Sequence, residues 1–160
     1  MIDRDDLFAC VVESFTEIST PRFFQTERGY QGALLAQLTQ RLHLPNYAIV
    51  EQEYQKQADL HGITIRPDII IHEPFDHRRH HARTEGNLAV VELKLRATAT
   101  RALEDFKSLE LMLDKLSYQV GIFVNINSTS TYAELVPAAF RGRIVCFAVT
   151  MTNGTVTVTK

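Results

Sequence analysis

The sequence contains little that would tie the chain to a membrane or to an oxidising compartment. No apolar run approaches the roughly 20 residues that a membrane-spanning helix needs. Only two cysteines occur, Cys10 and Cys146, and their spacing is not that of a metal site. The first six residues include three aspartates and lack the basic and then apolar order of a signal peptide. We therefore expect a cytoplasmic protein with no membrane partner, in which both thiols are reduced and buried.

The chain also lacks a glycine-rich phosphate loop and a strong net charge. Without such a loop, ATP hydrolysis within this chain is not expected. The formal net charge of −2 gives no global attraction to nucleic acid. A local basic face would nevertheless suffice, and acidic metal ligands lower the net charge. With 160 residues and an ordinary apolar fraction of 45%, residues 1–160 are expected to form one domain with a real core.

Two helices are predicted before the first strand. Apolar residues recur at helical spacing over 4–18, with Asp3 as the N-cap. A second helix is predicted over 23–42 or 26–42, and its leucine stripe extended backwards passes through Gln31 and Glu27. Polar side chains at the end of a core-facing stripe indicate either a site at the edge of the core or a solvated first turn. Helical spacing alone leaves both interpretations open.

Strands dominate the rest of the chain. They are predicted over 47–55, 64–73, 87–95, 119–127, 143–151 and 155–159, with a helix over 99–116 and a short one over 132–140. The last two strands form a hairpin around Asn153-Gly154. The crossover helix between the third and fourth strands implies a parallel pair in a mixed sheet. The fold class is therefore α/β, a central mixed β-sheet flanked by helices.

The most informative residues are charges placed within apolar strands. Asp68 opens the run Ile69-Ile70-Ile71, and Glu92 and Lys94 interrupt another run. Buried charges are costly unless they are paired or bind metal. Because side chains alternate along a strand, Glu92 and Lys94 share a face, and pairing of the two strands brings Asp68 to the same place.

Two carboxylates converging on one place repel each other unless a cation lies between them. Oxygen ligands without Cys or His suit Mg²⁺ or Mn²⁺ rather than Zn²⁺. Lys94, one strand step away, can then hold or activate a water molecule, or stabilise charge on an attacked phosphate.

Pro67-Asp68 followed by Glu92-Leu93-Lys94 resembles the motif of the PD-(D/E)xK nuclease superfamily, which has the restriction-endonuclease-like fold. The order of elements over 27–127 agrees, with a helix carrying a glutamate, three meandering strands, a helix and a further strand. The resemblance implies a Mg²⁺-dependent nuclease that cleaves DNA with a metal-activated water and leaves a 5′-phosphate. By fold analogy, it also implies a restriction, defence or mobile-element enzyme.

The resemblance also implies roles for individual residues. Asp68 and Glu92 would be the metal-binding carboxylates, and the backbone carbonyl of Leu93 would be a further metal ligand. Lys94 would assist the water nucleophile. Glu27 matches an additional catalytic glutamate that many members carry on the helix before the sheet.

Other polar residues are weaker candidates. They include Gln31 and Glu53, although an exposed strand carboxylate is the simpler interpretation for Glu53. The polar loop over 73–86 is the most basic stretch, and because it joins two site strands we consider it a clamp for phosphate groups. The candidate nucleic-acid-binding residues are Arg78, Arg79 and Arg83 in this loop and Arg96 after the third strand. Asp105 and Lys107 are interpreted as helix-surface charges, with Lys107 the one able to turn toward the site.

Two alternative functions remain open. The first is a non-catalytic nucleic-acid-binding or assembly subunit that retains a nuclease fold, although retained buried charges argue against this. The second is an RNA-directed nuclease, since no aromatic pattern separates RNA from DNA. Cleavage of both strands of a duplex favours a homodimer or a subunit of a larger complex.

Overall fold

The computed structural model describes residues 3–45, 47–52 and 62–160. Within these residues, six strands form one sheet whose spatial order follows the chain. The helices are α1 (Arg4–Glu17), α2 (Glu27–Arg41) and α3 (Ala99–Lys115). The strands are β1 (Ile49–Gln52), β2 (Ile69–His72), β3 (Asn87–Leu95), β4 (Val120–Ile126), β5 (Ile144–Thr152) and β6 (Thr155–Thr159).

The predicted mixed sheet is confirmed by the strand pairing. β1, β2 and β3 form an antiparallel meander. The crossover helix α3 then makes β4 parallel to β3, and β5 is parallel to β4. β6 returns antiparallel to β5 around Asn153 and Gly154, whose φ angles of 51° and 78° are typical of a tight hairpin turn.

Helices cover both faces of the sheet. On one face, α1 and α2 pack the apolar side chains of Phe15 and Leu38 against Ile69 and Ile71. On the other face, Phe106 and its neighbours in α3 pack against Ile70, Val90 and Phe123, among others. Successive residues of β2 therefore contribute to opposite cores, as the alternation of a strand requires. The predicted α/β class is confirmed.

Three predicted elements differ in extent. The strand predicted over 64–73 begins only at Ile69, because Pro67 has no N–H for a ladder hydrogen bond. The short helix predicted over 132–140 is two 3₁₀ turns, Ala133–Leu135 and Ala138–Phe140, separated by Pro137. The described part of the strand predicted over 47–55 is β1, and Glu53 lies outside the described residues.

No helix in the described ranges is long and apolar enough to span a lipid bilayer.

Candidate active site

The structure brings Asp68 and Glu92 together at one end of β2 and β3. Ile69 pairs with Val91, so one residue further along Asp68 lies opposite Glu92. The N–H of Leu93 points toward β2, where it donates to Oδ2 of Asp68 at 2.7 Å. The Asp68–Glu92 pair is therefore of the type without ladder hydrogen bonds, in which side chains lie closest. The Asp68 carboxyl group is close enough to Glu92 to raise the pKa of the Glu92 carboxyl group.

Pro67 keeps the sheet open beside these carboxyl groups. By the same register, Pro67 lies opposite Leu93. A proline cannot donate an N–H, so the Leu93 carbonyl receives no ladder hydrogen bond from Pro67. The register therefore places the Leu93 carbonyl on the side of β3 that faces Pro67, one residue after Glu92.

Burial and neighbouring carboxylates make both carboxyl groups hard to ionise. Burial is the main reason that the pKa of Glu92 is raised well above its usual value, and the nearby Asp68 and Asp105 carboxyl groups raise it further. Burial also raises the pKa of Asp68, although the hydrogen bond from Leu93 opposes that rise. An ionised pair at this place needs a compensating cation.

Lys94 lies on the same face as Glu92 and reaches two further carboxylates. Its Nζ is 3.8 Å from Oε1 of Glu27 and 3.5 Å from Oδ1 of Asp105. Burial lowers the pKa of Lys94, but attraction to Asp105, Glu27, Asp68 and Glu92 outweighs this effect and raises it overall. The ammonium is therefore charged at neutral pH and partly balances the surrounding carboxylates.

The first turn of α2 places Glu27 and Gln31 at the same end of the sheet. Thr26 caps the helix by accepting the N–H of Gly29. Oε2 of Glu27 accepts the backbone N–H of Leu95 at 3.2 Å. The side chain of Gln31 is buried and donates to the backbone carbonyl of Asp68 at 2.6 Å. Glu27 thus joins the charged cluster, whereas Gln31 fixes the backbone that carries Asp68.

Asp105 is a member of the cluster that sequence reasoning missed. Its interpretation as a surface charge is wrong, because the residue is only 7% exposed and its carboxylate faces Lys94, whereas Lys107 is exposed. Burial raises its pKa to about 6 although Lys94 opposes the rise. Helical spacing carried the signal, since Asp105 lies three residues after Ala102 and four before Leu109 on the buried face.

The basic loop over 73–86 leaves the opposite end of the strands. His72 pairs with Asn87 at that end, so β2 separates the loop from Asp68 by on the order of 15 Å at the usual rise per residue. Arg79 lies 3.9 Å from the centre of the Tyr47 ring and forms an ion pair with Glu73. The loop therefore does not lie beside the carboxylates. Nucleic-acid binding by Arg78, Arg79 and Arg83 stays a prediction for a separate surface.

Arg96, in contrast, lies at the same end as the cluster. It follows β3 directly and has a left-handed backbone with φ of 50°. Its guanidinium donates to the side-chain oxygen of Asn127 at 2.8 and 3.2 Å when that amide is oriented to accept. Arg101 follows five residues after Arg96 in the sequence. It is exposed and lies in the first turn of α3, after the N-cap Thr98.

The oxygen donors of the cluster fit a small hard cation. In the described part of the chain, no three His, Cys, Asp or Glu side chains are arranged to hold a metal ion. Asp68, Glu92 and the Leu93 carbonyl instead provide two carboxylates and one carbonyl. Mg²⁺ typically takes one or two carboxylates and completes its octahedron with water and phosphate oxygens. The donor set therefore fits Mg²⁺ or Mn²⁺.

Comparison of the chain with protein-family models, with curated proteins and with solved structures finds no match.

Proposed function

We propose that this protein is a metal-dependent nuclease of the PD-(D/E)xK type that hydrolyses phosphodiester bonds in DNA. One observation carries the proposal. The carboxyl groups of Asp68 and Glu92 lie opposite each other at the open end of the β2–β3 pair, and Lys94 lies one strand step further on the same face. Such a cluster is costly to keep in a folded protein unless it binds a cation and performs chemistry.

The arrangement of the elements supports a restriction-endonuclease-like fold. The antiparallel meander of β1, β2 and β3 is followed by the crossover helix α3 and a parallel strand. A helix that carries Glu27 precedes the meander, and Glu27 contacts both Lys94 and the backbone of Leu95.

Different groups of the protein would have different roles in hydrolysis. A divalent cation held by Asp68, Glu92 and the Leu93 carbonyl would supply Lewis acidity and lower the pKa of a water molecule. The Leu93 N–H and the Gln31 side chain fix Asp68 in place. The charged Lys94 ammonium is placed to orient the water nucleophile and to stabilise negative charge on the attacked phosphate.

The same end of the molecule suits a polyanionic substrate. α3 begins immediately after the loop that follows β3, so the positive end of its dipole faces this region. Arg96 and Arg101 are exposed at the same end. Contacts from such groups to phosphate position nucleic acid without reading its sequence.

Cleavage assays on a panel of substrates test the proposal. The purified protein is incubated with supercoiled, linear and single-stranded DNA and with RNA, in Mg²⁺, in Mn²⁺ or in EDTA. We expect metal-dependent cleavage of DNA that is lost in Asp68→Ala. Asp114→Asn is the matched control, because Asp114 is an exposed residue near the other end of α3.

Each other outcome of this panel points to a different function. Cleavage restricted to RNA would establish an RNA-directed nuclease. DNA binding that is insensitive to EDTA, with no cleavage in either metal, would establish a non-catalytic binding subunit and would refute the proposal.

A further inference from the structure

Asp105 is an unusual residue for the interior of α3. It lies on the buried face between Ala102 and Leu109, beside Phe106. Oδ1 is 3.5 Å from the Lys94 Nζ, and the side chain is only 10% exposed. Oδ2 is buried and has no hydrogen-bond partner among the described residues. An apolar side chain would suit these neighbours better, because a buried acceptor without a partner is costly.

Lys94 is held from both layers of helices. Glu27 approaches it from α2, and Asp105 approaches it from α3. The Glu27 side chain is 38% exposed and its oxygen is 3.8 Å away, so water competes for that contact. The contact with Asp105 is shorter and more buried. Asp105 is therefore the firmer of the two anchors for a flexible lysine side chain.

We propose that Asp105 is a positioning residue that fixes the Lys94 ammonium beside Glu92 for catalysis. Lysine carries its charge on a four-carbon stem with several rotatable bonds, so without an anchor the ammonium samples many positions. The Oδ1 contact holds the ammonium from the α3 side, and no other described group competes for the buried Oδ2 of the same carboxylate. This role rests on the proposed nuclease function.

A spectroscopic test reads the position of Lys94 without any cleavage. The metal-free protein is labelled with ¹⁵N-lysine, and the Lys94 ammonium signal is assigned by its loss in Lys94→Arg. An anchored ammonium exchanges its protons slowly, so we expect a sharp signal in the wild type. The signal should broaden or disappear in Asp105→Asn. It should not change in Glu104→Gln, which removes a charge from the adjacent exposed position of the same helix.

A kinetic test on the same variants separates positioning from substrate binding. In Asp105→Asn we expect kcat to fall by about ten- to a hundredfold, the scale of a misplaced catalytic group, while KM for DNA changes little. Asp105→Glu keeps the charge and should recover part of the lost rate. Glu104→Gln should behave as the wild type.

The outcomes distinguish this proposal from the nuclease proposal. An unchanged Lys94 signal in Asp105→Asn would overturn the positioning role. If the wild type cleaves DNA, an unchanged kcat in Asp105→Asn would overturn it as well. A wild type that never cleaves would refute the nuclease function, while the ammonium signal would still decide whether Asp105 holds Lys94. Should Asp105→Asn fail to fold, Asp105→Glu provides the test, because moving the carboxylate by one methylene must shift the Lys94 signal.

Discussion

At the scale of single residues, the cluster contains three carboxyl groups that burial makes hard to ionise. Asp68, Glu92 and Asp105 all have a raised pKa, with burial as the main cause in each case. The Lys94 ammonium is a positive charge that interacts with all three of these carboxyl groups. Function and stability are therefore in conflict here, as is usual where a site is prepared for a ligand.

Glu92→Gln should separate this conflict into its two parts. The neutral isostere removes a proposed metal ligand, so we expect cleavage to fall by at least about a hundredfold, the scale of losing one charge-stabilising group. It also removes a carboxyl group that burial penalises when ionised, so the melting temperature of the metal-free protein near neutral pH should rise. Cleavage assays and thermal melting measure the two effects. A variant that is both active and destabilised would contradict the assignment.

Lys94→Ala should abolish cleavage while the fold remains intact. The substitution removes the ammonium that would orient the water and stabilise charge on phosphate. Circular dichroism checks the fold, and the exposed Lys107→Ala is the control on α3. Full Mg²⁺-dependent cleavage by Lys94→Ala would eliminate the role assigned to this residue.

At the scale of elements, Pro67 decides where the β2–β3 ladder ends. Pro67→Ala restores an N–H opposite Leu93, and we expect this N–H to compete for the Leu93 carbonyl. The apparent affinity for Mg²⁺, measured from the concentration dependence of cleavage, should therefore weaken. Pro74→Ala, at the other end of β2, is the control. Equal Mg²⁺ dependence in both variants would show that the Leu93 carbonyl is not a ligand.

Sequence patterns predict the elements well because most of them have clear periodicity. The strand over 87–95 and the helix at 99–116 were predicted almost to the residue. The place of the basic loop was also implicit in the sequence. Asp68 opens β2 and Glu92 lies near the end of β3, so in an antiparallel pair the connecting loop must leave from the other end.

Asp105 shows what periodicity does not decide. Its spacing puts it on the buried face of α3, yet a charged residue in such a position is usually taken as solvated. Only the packing of α3 over the face of the sheet that carries Lys94 shows that the Lys94 ammonium is the partner of Asp105. The strand predicted over 64–73 begins only at Ile69 because of one residue, Pro67. The apolar run after Pro67 gives no sign of where the strand begins.

At the scale of the whole molecule, the cluster makes the stability of the fold depend on pH. The pKa of Asp105 rises from 3.8 to about 6 on folding. Between these values the folded state binds more protons than the unfolded state, so stability falls as pH rises through this range. Asp68 and Glu92 act in the same direction, because their pKa values are also raised.

Mg²⁺ should therefore stabilise the protein more at high pH than at low pH. Thermal melting with and without Mg²⁺, at about pH 5 and about pH 8, measures the difference. We expect a larger increase in melting temperature at the higher pH, where the carboxyl groups are ionised and repel one another. Glu92→Gln should lose most of this increase. An equal increase at both pH values would argue against cation binding at the cluster.

Cleavage in ¹⁸O-labelled water tests the central claim most directly, because it follows the attacking oxygen into the product. The wild type and Lys94→Ala are incubated with DNA and Mg²⁺, and the product ends are analysed by mass spectrometry. The account predicts ¹⁸O in the 5′-phosphates released by the wild type and no labelled product from Lys94→Ala. Absence of cleavage by the wild type, or label in 3′-phosphates, would contradict it.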